Sequence, residues 1–318
     1  MHSRRDFLAG TATLGLAFGV PRRSWAAAAL TGGYVPSTLF APVFAAVERG
    51  YFESAGLSVT LTPVVAGQDA LALLATGRLD FIAAGLSAAF YNGVARGLDV
   101  RFVGSTGYQP RRSHPSALML RSDVSDVRDV RDLRGKRVAW NGGAGATSAY
   151  YVARILRAAG LGLGDVATVD ISVPDQGIAF ERKAIDAAFT STPATEALIE
   201  RKLARFLAAP PAGISATGIF FGPSLLGSPQ TARATIEACR RGAAGVTGEA
   251  YYSQQNLATF AKYTHQPLEV LQRGARYDYE PDLRIDQVTL EDMQREFLTQ
   301  RILTYAAPLE ASRLVARF

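Results

Sequence analysis

An imperfect internal repeat constrains this chain more than any other feature. A strand-like run, Leu30 to Tyr34, leads through Val35-Pro36-Ser37-Thr38 into a helical stretch, Leu39 to Arg49, followed by Gly50-Tyr51-Phe52 and Gly56-Leu57. A β-type run follows, Ser58 to Val65. Gly67-Gln68-Asp69 then opens a helix over Ala70 to Ala75. Gly77-Arg78-Leu79-Asp80 feeds an apolar strand, Phe81 to Ala84, and Gly85-Leu86-Ser87 opens a helix to Arg96. The order returns about a hundred residues on. Strand Arg137 to Trp140 precedes the loop Asn141 to Ser148, a helix to Ala159 and Gly160-Leu161. Strand Thr168 to Val173 precedes Pro174-Asp175-Gln176 and a helix to Lys183. Ile185-Asp186 leads into Ala187 to Phe189, and Thr190-Ser191-Thr192-Pro193 opens the next helix. Gly56 matches Gly160, Asp80 matches Asp186 and Gln68 matches Gln176, at offsets of 104, 106 and 108.

Strands that alternate with helices predict parallel, right-handed βαβ units. Two copies predict two α/β lobes facing a cleft. Open α/β sheets bind ligands at the carboxyl edge of their strands. The loops expected there carry small hydroxylic residues: Ser37, Thr38, Ser87, Thr147, Ser148, Thr190, Ser191 and Thr192. Such residues cap helices, and helix N-termini offer free N–H groups to an anion or polar group. A single one of them reads equally well as a plain cap. Their recurrence in both units favours ligand binding.

Charge first points elsewhere. The chain carries a formal net charge of +6 over 318 residues, a sign of nucleic-acid affinity if the charge sits in the folded part. Half of it does not. Arg4-Arg5-Asp6-Phe7-Leu8 begins an uncharged run to Val20, and small residues follow at Ala26-Ala27-Ala28. The run is too short for a bilayer core of about 30 Å. Paired arginines, a modest apolar run and a small-residue cleavage zone resemble a bacterial twin-arginine export signal over residues 1–28. Without residues 1–27 the net charge is +3, so no nucleic-acid partner is expected.

Catalytic and metal chemistries find little equipment. The chain has one Cys and three His, too few for a disulfide framework or a Cys-rich metal site. Cys239 lies in an apolar helical stretch and reads as core. His114 and His265 read as structural. No Gly-x-Ser-x-Gly accompanies them to suggest a hydrolase. Gly143-Ala144-Gly145 lacks the third glycine of a dinucleotide loop, since position 148 is Ser. Arg111-Arg112 reads either as an anion clamp or, by preference, as a solvated basic turn. Asp80 and Asp186, each just before a short strand, read as turn or capping residues in preference to cleft-facing ones. No catalytic residue, metal or cofactor is assigned.

The family resemblance rests on ordered motifs. Phe40-Ala41-Pro42-Val43, the run Glu48 to Leu57, Ala75-Thr76-Gly77-Arg78-Leu79-Asp80-Phe81 and Asp132 to Ala139 appear in sequence, with Pro281-Asp282-Leu283 and Met293-Gln294 near the end. In this order they resemble the ABC-importer substrate-binding proteins for nitrate, taurine, alkanesulfonates and thiamine-pyrimidine precursors, the NMT1-like branch. The resemblance covers about residues 30–305. It implies a type II periplasmic-binding-protein fold, two doubly wound lobes around a ligand cleft. Lobe 1 would hold residues 29–106, lobe 2 residues 107–215, and residues 216–318 would return to lobe 1 with the C-terminal helices. The crossings would fall near Val103 to Gln109 and Ile214 to Phe221. The Cys-rich signature and lysine-bound cofactor of the related pyrimidine synthases are not seen.

The resulting expectation is an exported, periplasmic, monomeric solute-binding protein that is not an enzyme. It would capture a small organic anion such as a sulfonate or carboxylate and deliver it to an inner-membrane ABC permease. The twin-arginine machinery would be its export partner. Candidate ligand-binding residues are Tyr34, Ser37, Thr38, Gln68, Gly85, Ser87, Tyr108, Asn141, Gly145, Thr147, Ser148, Gln176, Thr190 and Thr192. Tyr34, Tyr108 and Trp140 read either as rings that stack on a flat ligand or as lobe-edge filling; Tyr34 and Tyr108 are preferred for stacking, because family members hold ligands between a first-strand loop and the crossing. A fold-sharing periplasmic enzyme, a sensor-input protein and a binder of a neutral pyrimidine-like solute remain as alternatives.

Overall fold

The structure, a computed structural model, describes residues 27–64 and 67–318; residues 1–26 of the expected export signal lie outside them. The first half runs β1 (Ala28–Tyr34), α1 (Ala41–Glu48), α2 (Tyr51–Ser54), β2 (Leu57–Pro63), α3 (Gly67–Ala75), β3 (Phe81–Gly85), α4 (Ala88–Ala95) and β4 (Arg101–Thr106). After a crossing come β5 (Ser116–Arg121), β6 (Arg137–Trp140), α5 (Thr147–Ala158), β7 (Ala167–Asp170), α6 (Gln176–Glu181), β8 (Ala187–Ser191), α7 (Ala194–Glu200) and β9 (Ala204–Ala208). A second crossing returns to β10 (Thr217–Phe221). Helices α8 (Pro223–Leu226), α9 (Pro229–Ala244), α10 (Gln254–Thr264), α11 (Leu268–Arg273), α12 (Gln287–Thr299) and α13 (Ala311–Leu314) complete the chain.

The strands form two five-stranded sheets, ordered β2-β1-β3-β10-β4 and β7-β6-β8-β5-β9. The parallel pairing expected from the repeat holds for β2-β1-β3 and β7-β6-β8. The fourth strand of each sheet runs antiparallel to its neighbours. These are β10 and β5, the first strands after each crossing, so they enter their sheet from the opposite lobe.

The repeat is reproduced at single hydrogen bonds. Asp80 accepts the Thr31 N–H at 2.7 Å, and its own N–H donates to the Thr31 carbonyl at 2.8 Å. Asp186 does the same to Arg137, with both bonds at 2.9 Å. Each pair is 49 residues apart. Both aspartates therefore lock a strand to its parallel neighbour, and neither faces the cleft.

Gly56 and Gly160, also equivalent, sit at φ +75° and +74°. That left-handed conformation, costly with a Cβ, ends a helix at each position; Gly56 leads straight into β2, and Gly160 leads through a short helical turn, Leu163–Asp165, to β7.

The crossings are hydrogen-bonded to each other. Gln109 N–H donates to Ile214 O at 3.0 Å, and Gly213 N–H donates to Gln109 O at 2.7 Å. A third segment lies alongside, where Tyr108 and Asp278 exchange both backbone bonds. The largest apolar core continues across this junction. It joins Phe90, Tyr91 and Phe102 to Leu118, Tyr150 and Tyr151 through Leu290, Met293 and Phe297 of α12. Tyr91 donates to Leu290 O at 2.7 Å, while Tyr150, Arg154 and Arg157 of α5 converge on Asp292 at 2.6–2.8 Å. Helix α12 thus touches both lobes, rather than packing on the first alone. Cys239 of α9 is fully buried in the first lobe's core, its thiol pushed up to about 12 by burial, which suits the core role read from sequence.

Candidate ligand cavity between the lobes

A cavity of about 810 Å³ opens where the two repeats face each other. Its walls are the carboxyl-edge loops that the repeat predicts. The first lobe contributes Val35 to Phe40, Gly85 and Ser87. The second contributes Asn141, Gly142, Ala146 to Ser148, Val173, Pro174, Phe189 and Ser191 to Ala194. Ser116 and Thr217 lie where the crossings meet the sheets. Thr264, Gln266, Pro267, Val270 and Leu271 form a wall from α10 and α11.

The lobes touch beside this cavity. Ala88 N–H donates to Gly145 O at 2.9 Å, and the Thr147 hydroxyl donates to Leu86 O at 2.6 Å. Two glycines permit the approach. A Cβ on Gly85 would lie 2.1 Å from Thr147 Oγ1, and one on Gly145 would lie 2.9 Å from the Ala88 Cβ. Heavy atoms do not come that close without displacement. Gly85 and Gly145 therefore serve the seam rather than offering side-chain chemistry, and Gly145 stands just outside the lining.

The hydroxyls divide by the work they already do. Ser87 occupies the N-cap position of α4 in extended backbone, yet its side chain makes no capping bond. Its hydroxyl is left to the cavity. Ser37 accepts from Leu39 N–H at 3.3 Å, Ser148 donates to Asn141 O at 2.5 Å, and Thr192 donates to Glu196 at 3.0 Å. Thr38 lines the cavity while its Oγ1 is buried without a partner among the described residues. Helix α5 starts at Thr147 with no side-chain cap, so its first-turn N–H groups have no partner within the helix.

Eight of the fourteen expected residues line the cavity: Ser37, Thr38, Gly85, Ser87, Asn141, Thr147, Ser148 and Thr192. Of the rest, Gln68 lies in α3 and its side chain is outside the described residues. Tyr34 is packed edge-on against Phe44 and Tyr263, with centroids 5.1 and 5.5 Å away. Tyr108 is buried, and its hydroxyl donates to Arg284 O at 2.5 Å. Both rings are consumed by the first lobe and its C-terminal wall, and neither lines the cavity. Gln176 is buried, donating to Phe189 O at 3.1 Å, and Thr190 is buried beside it. Both stand behind the lining. Arg111 and Arg112 are exposed and off the cavity, as the solvated-turn reading prefers.

The sequence reading missed Tyr151 and Arg201. Tyr151 reaches the second crossing, its hydroxyl accepting the Ala216 N–H at 3.0 Å, and burial pushes its phenol up to about 12. Among the described residues, Arg201 is the one charged side chain lining the cavity, and no carboxylate lines it. The guanidinium pairs with Glu181 and lies over Gly177, where a Cβ would meet Nη1 at 2.8 Å. Its only sequence signal is spacing. Ala194, Ala197, Leu198 and Arg201 share one helical face, a pattern that reads as core until the face is known to front a cavity.

This architecture, two α/β lobes joined by paired crossings around a cavity, defines the class: a two-lobed periplasmic-binding-protein fold of type II. Within it, the NMT1/THI5-like family model matches residues 37–249, and the chain belongs to that family. The chain is similar in fold to the alkanesulfonate-binding protein SsuA from Xanthomonas axonopodis pv. citri, solved bound to MOPS. That match has 22% identity, 92% of this chain and 99% of the other covered, and a TM-score of 0.73. The periplasmic aliphatic sulphonate binding protein SsuA from Escherichia coli matches at 18% identity, 91% and 92% coverage, and a TM-score of 0.71. An enzyme shares the fold. DszB, solved as a point mutant in complex with biphenyl-2-sulfinic acid, matches at 15% identity, 92% and 97% coverage, and a TM-score of 0.62. No protein with curated function matches the chain in sequence. Among the described residues, no helix is long and apolar enough to cross a membrane, and no cluster of His, Cys, Asp and Glu is arranged to hold a metal.

Proposed function

We propose that this protein is the exported solute-binding component of an ABC importer, capturing a small organic anion between its lobes for delivery to a membrane permease. The observation that carries the reading is the cavity's composition. Hydroxyls and helix N-termini from both lobes meet in a space where the described residues supply one arginine and no carboxylate. An anion is favoured there, because N–H groups and hydroxyls donate and the helix ends carry partial positive charge. The titratable groups lining it, Tyr151 and Arg201, do not form an acid–base pair of the kind turnover requires, and the single Cys is buried elsewhere. These features support a binding reading.

A solute that touches both lobes only in the closed form shifts the hinge equilibrium. Moving closure from 1:99 to 99:1 takes about 5.5 kcal/mol of preference. A few charge-assisted hydrogen bonds of roughly 1.5–3 kcal/mol each are enough. The reading includes twin-arginine export directed by residues 1–28, a monomeric periplasmic form, and lobes at 29–106 and 107–215 with the return at 216–318.

The test is a melting screen of the purified chain against sulfonates, carboxylates, nitrate and pyrimidines. At 100 times its dissociation constant a true ligand adds about 2.7 kcal/mol of stability. Stabilisation by an organic anion is the expected result. Stabilisation by a pyrimidine alone would replace the anion, and turnover of a compound without stabilisation would replace the binding reading.

A further inference from the structure

The cavity is larger and more apolar than a nitrate or a two-carbon sulfonate needs. Volumes of roughly 300–1,000 Å³ suit ligands of drug size, and this one is near the top of that range at about 810 Å³. Its lining mixes hydroxyl-bearing and apolar residues. The seam end holds Ser87, Asn141 and the start of α5. The cavity-facing side of α7 presents Ala194, Ala197 and Leu198. Pro267, Val270 and Leu271 belong to the α10–α11 wall, and Val173 and Pro174 precede α6. The same face of α7 carries Arg201, whose guanidinium reaches Gly177 in the first turn of α6. That apolar stripe ends at Arg201.

Arg201 is held ready rather than locked. Its side chain is 52% exposed and pairs with Glu181, itself 48% exposed. A surface pair of that kind is weak and exchangeable. Gly177 leaves room for the guanidinium to lie at the cavity wall. A planar fork with several donors can also serve a second acceptor without leaving Glu181.

From this arrangement we propose that the ligand is an elongated organic diacid. One acidic head sits at the seam, an apolar, ring-sized body lies along α7, and a second acidic group meets Arg201. Arg201 is then the specificity-determining residue that separates diacids from monoacids of the same body. The inference rests on the anion-binding reading above and deepens it.

Titration calorimetry with 4-sulfobenzoate, benzenesulfonate and taurine tests it. The expected order is 4-sulfobenzoate at least tenfold tighter than benzenesulfonate, and benzenesulfonate tighter than taurine. In Arg201→Gln the ratio of the first two falls to within threefold of one, and Arg201→Lys restores part of it. A purely structural role for Arg201 would weaken both ligands alike and leave the ratio intact. Equal binding of the diacid and the monoacid by the unaltered protein overturns the proposal, as does taurine binding tightest. In either case the anion-binding reading survives. No binding of any of the three, with a pyrimidine stabilising the fold instead, removes both.

Discussion

Ser87 occupies a capping position without capping the helix. A Ser at an N-cap normally accepts a bond from the first turn, and its loss costs about 0.5–2 kcal/mol. Here the side chain makes no such bond, while the residue is only 7% exposed and lines the cavity. Ser87→Ala is therefore expected to change the unliganded melting free energy by less than about 0.5 kcal/mol. The same change should weaken anion binding roughly tenfold, the worth of one charge-assisted bond. Calorimetry and thermal melting on the same sample separate the two effects. A stability loss of cap size with unchanged affinity would return Ser87 to an ordinary cap. Ser37, Ser87, Thr147 and Ser148 were legible in the sequence because each sits between an apolar strand and a helix, where chain order alone places it at a sheet's carboxyl edge. Tyr34 and Tyr108 misled for the opposite reason. A strand-end aromatic can face either the cleft or the lobe, and only packing against Phe44, Tyr263 and the Asp278 segment decides.

At the scale of elements, the repeat carries both topology and stability. The paired bonds of Asp80 to Thr31 and Asp186 to Arg137 fix where β3 and β8 begin relative to β1 and β6. Asp186 also receives the Arg137 guanidinium at 2.8 Å and the Arg121 guanidinium at 3.0 Å. The Arg137 side-chain hydrogen bond, with the Arg137 N–H and the Arg121 charge behind it, holds the Asp186 carboxyl down to about 2. An unfolded Asp titrates near 3.9. Because the folded value is the lower one, ionised Asp186 favours the fold. That contribution, on the order of 2 kcal/mol, is complete at neutral pH. It is lost as the pH falls from the unfolded value through the folded one. Asp186→Asn should accordingly melt with about 2 kcal/mol less stability at pH 7, and its deficit should shrink toward zero near pH 2. A deficit independent of pH would show that the loss is one of shape rather than charge. The strand and helix positions of both units were legible because period and punctuation agree in each. The cavity face of α7 and the α10–α11 wall were not. An apolar stripe such as Ala194, Ala197, Leu198 has the same pattern whether it fronts a core or a cavity. Nothing local in Pro267 or Val270 tells that the chain returns across the cleft.

For the whole molecule, the central relation is between two similar lobes and one space. The crossings bond to each other at Gln109, Gly213 and Ile214, α12 packs on both lobes, and Gly85 and Gly145 let the facing loops touch. The net charge of +3 beyond the expected export signal matters less than where charge is absent, since no carboxylate among the described residues lines the cavity. The claim that this space is an anion site is tested most directly by crystals grown with 4-bromobenzenesulfonate and measured at the bromine absorption edge. One bromine peak is expected inside the cavity, along the face of Ala194, Ala197 and Leu198, with the sulfonate within hydrogen-bond distance of the Ser87 hydroxyl. A bromine peak outside the cavity, or a cavity left empty at saturating ligand, would contradict it.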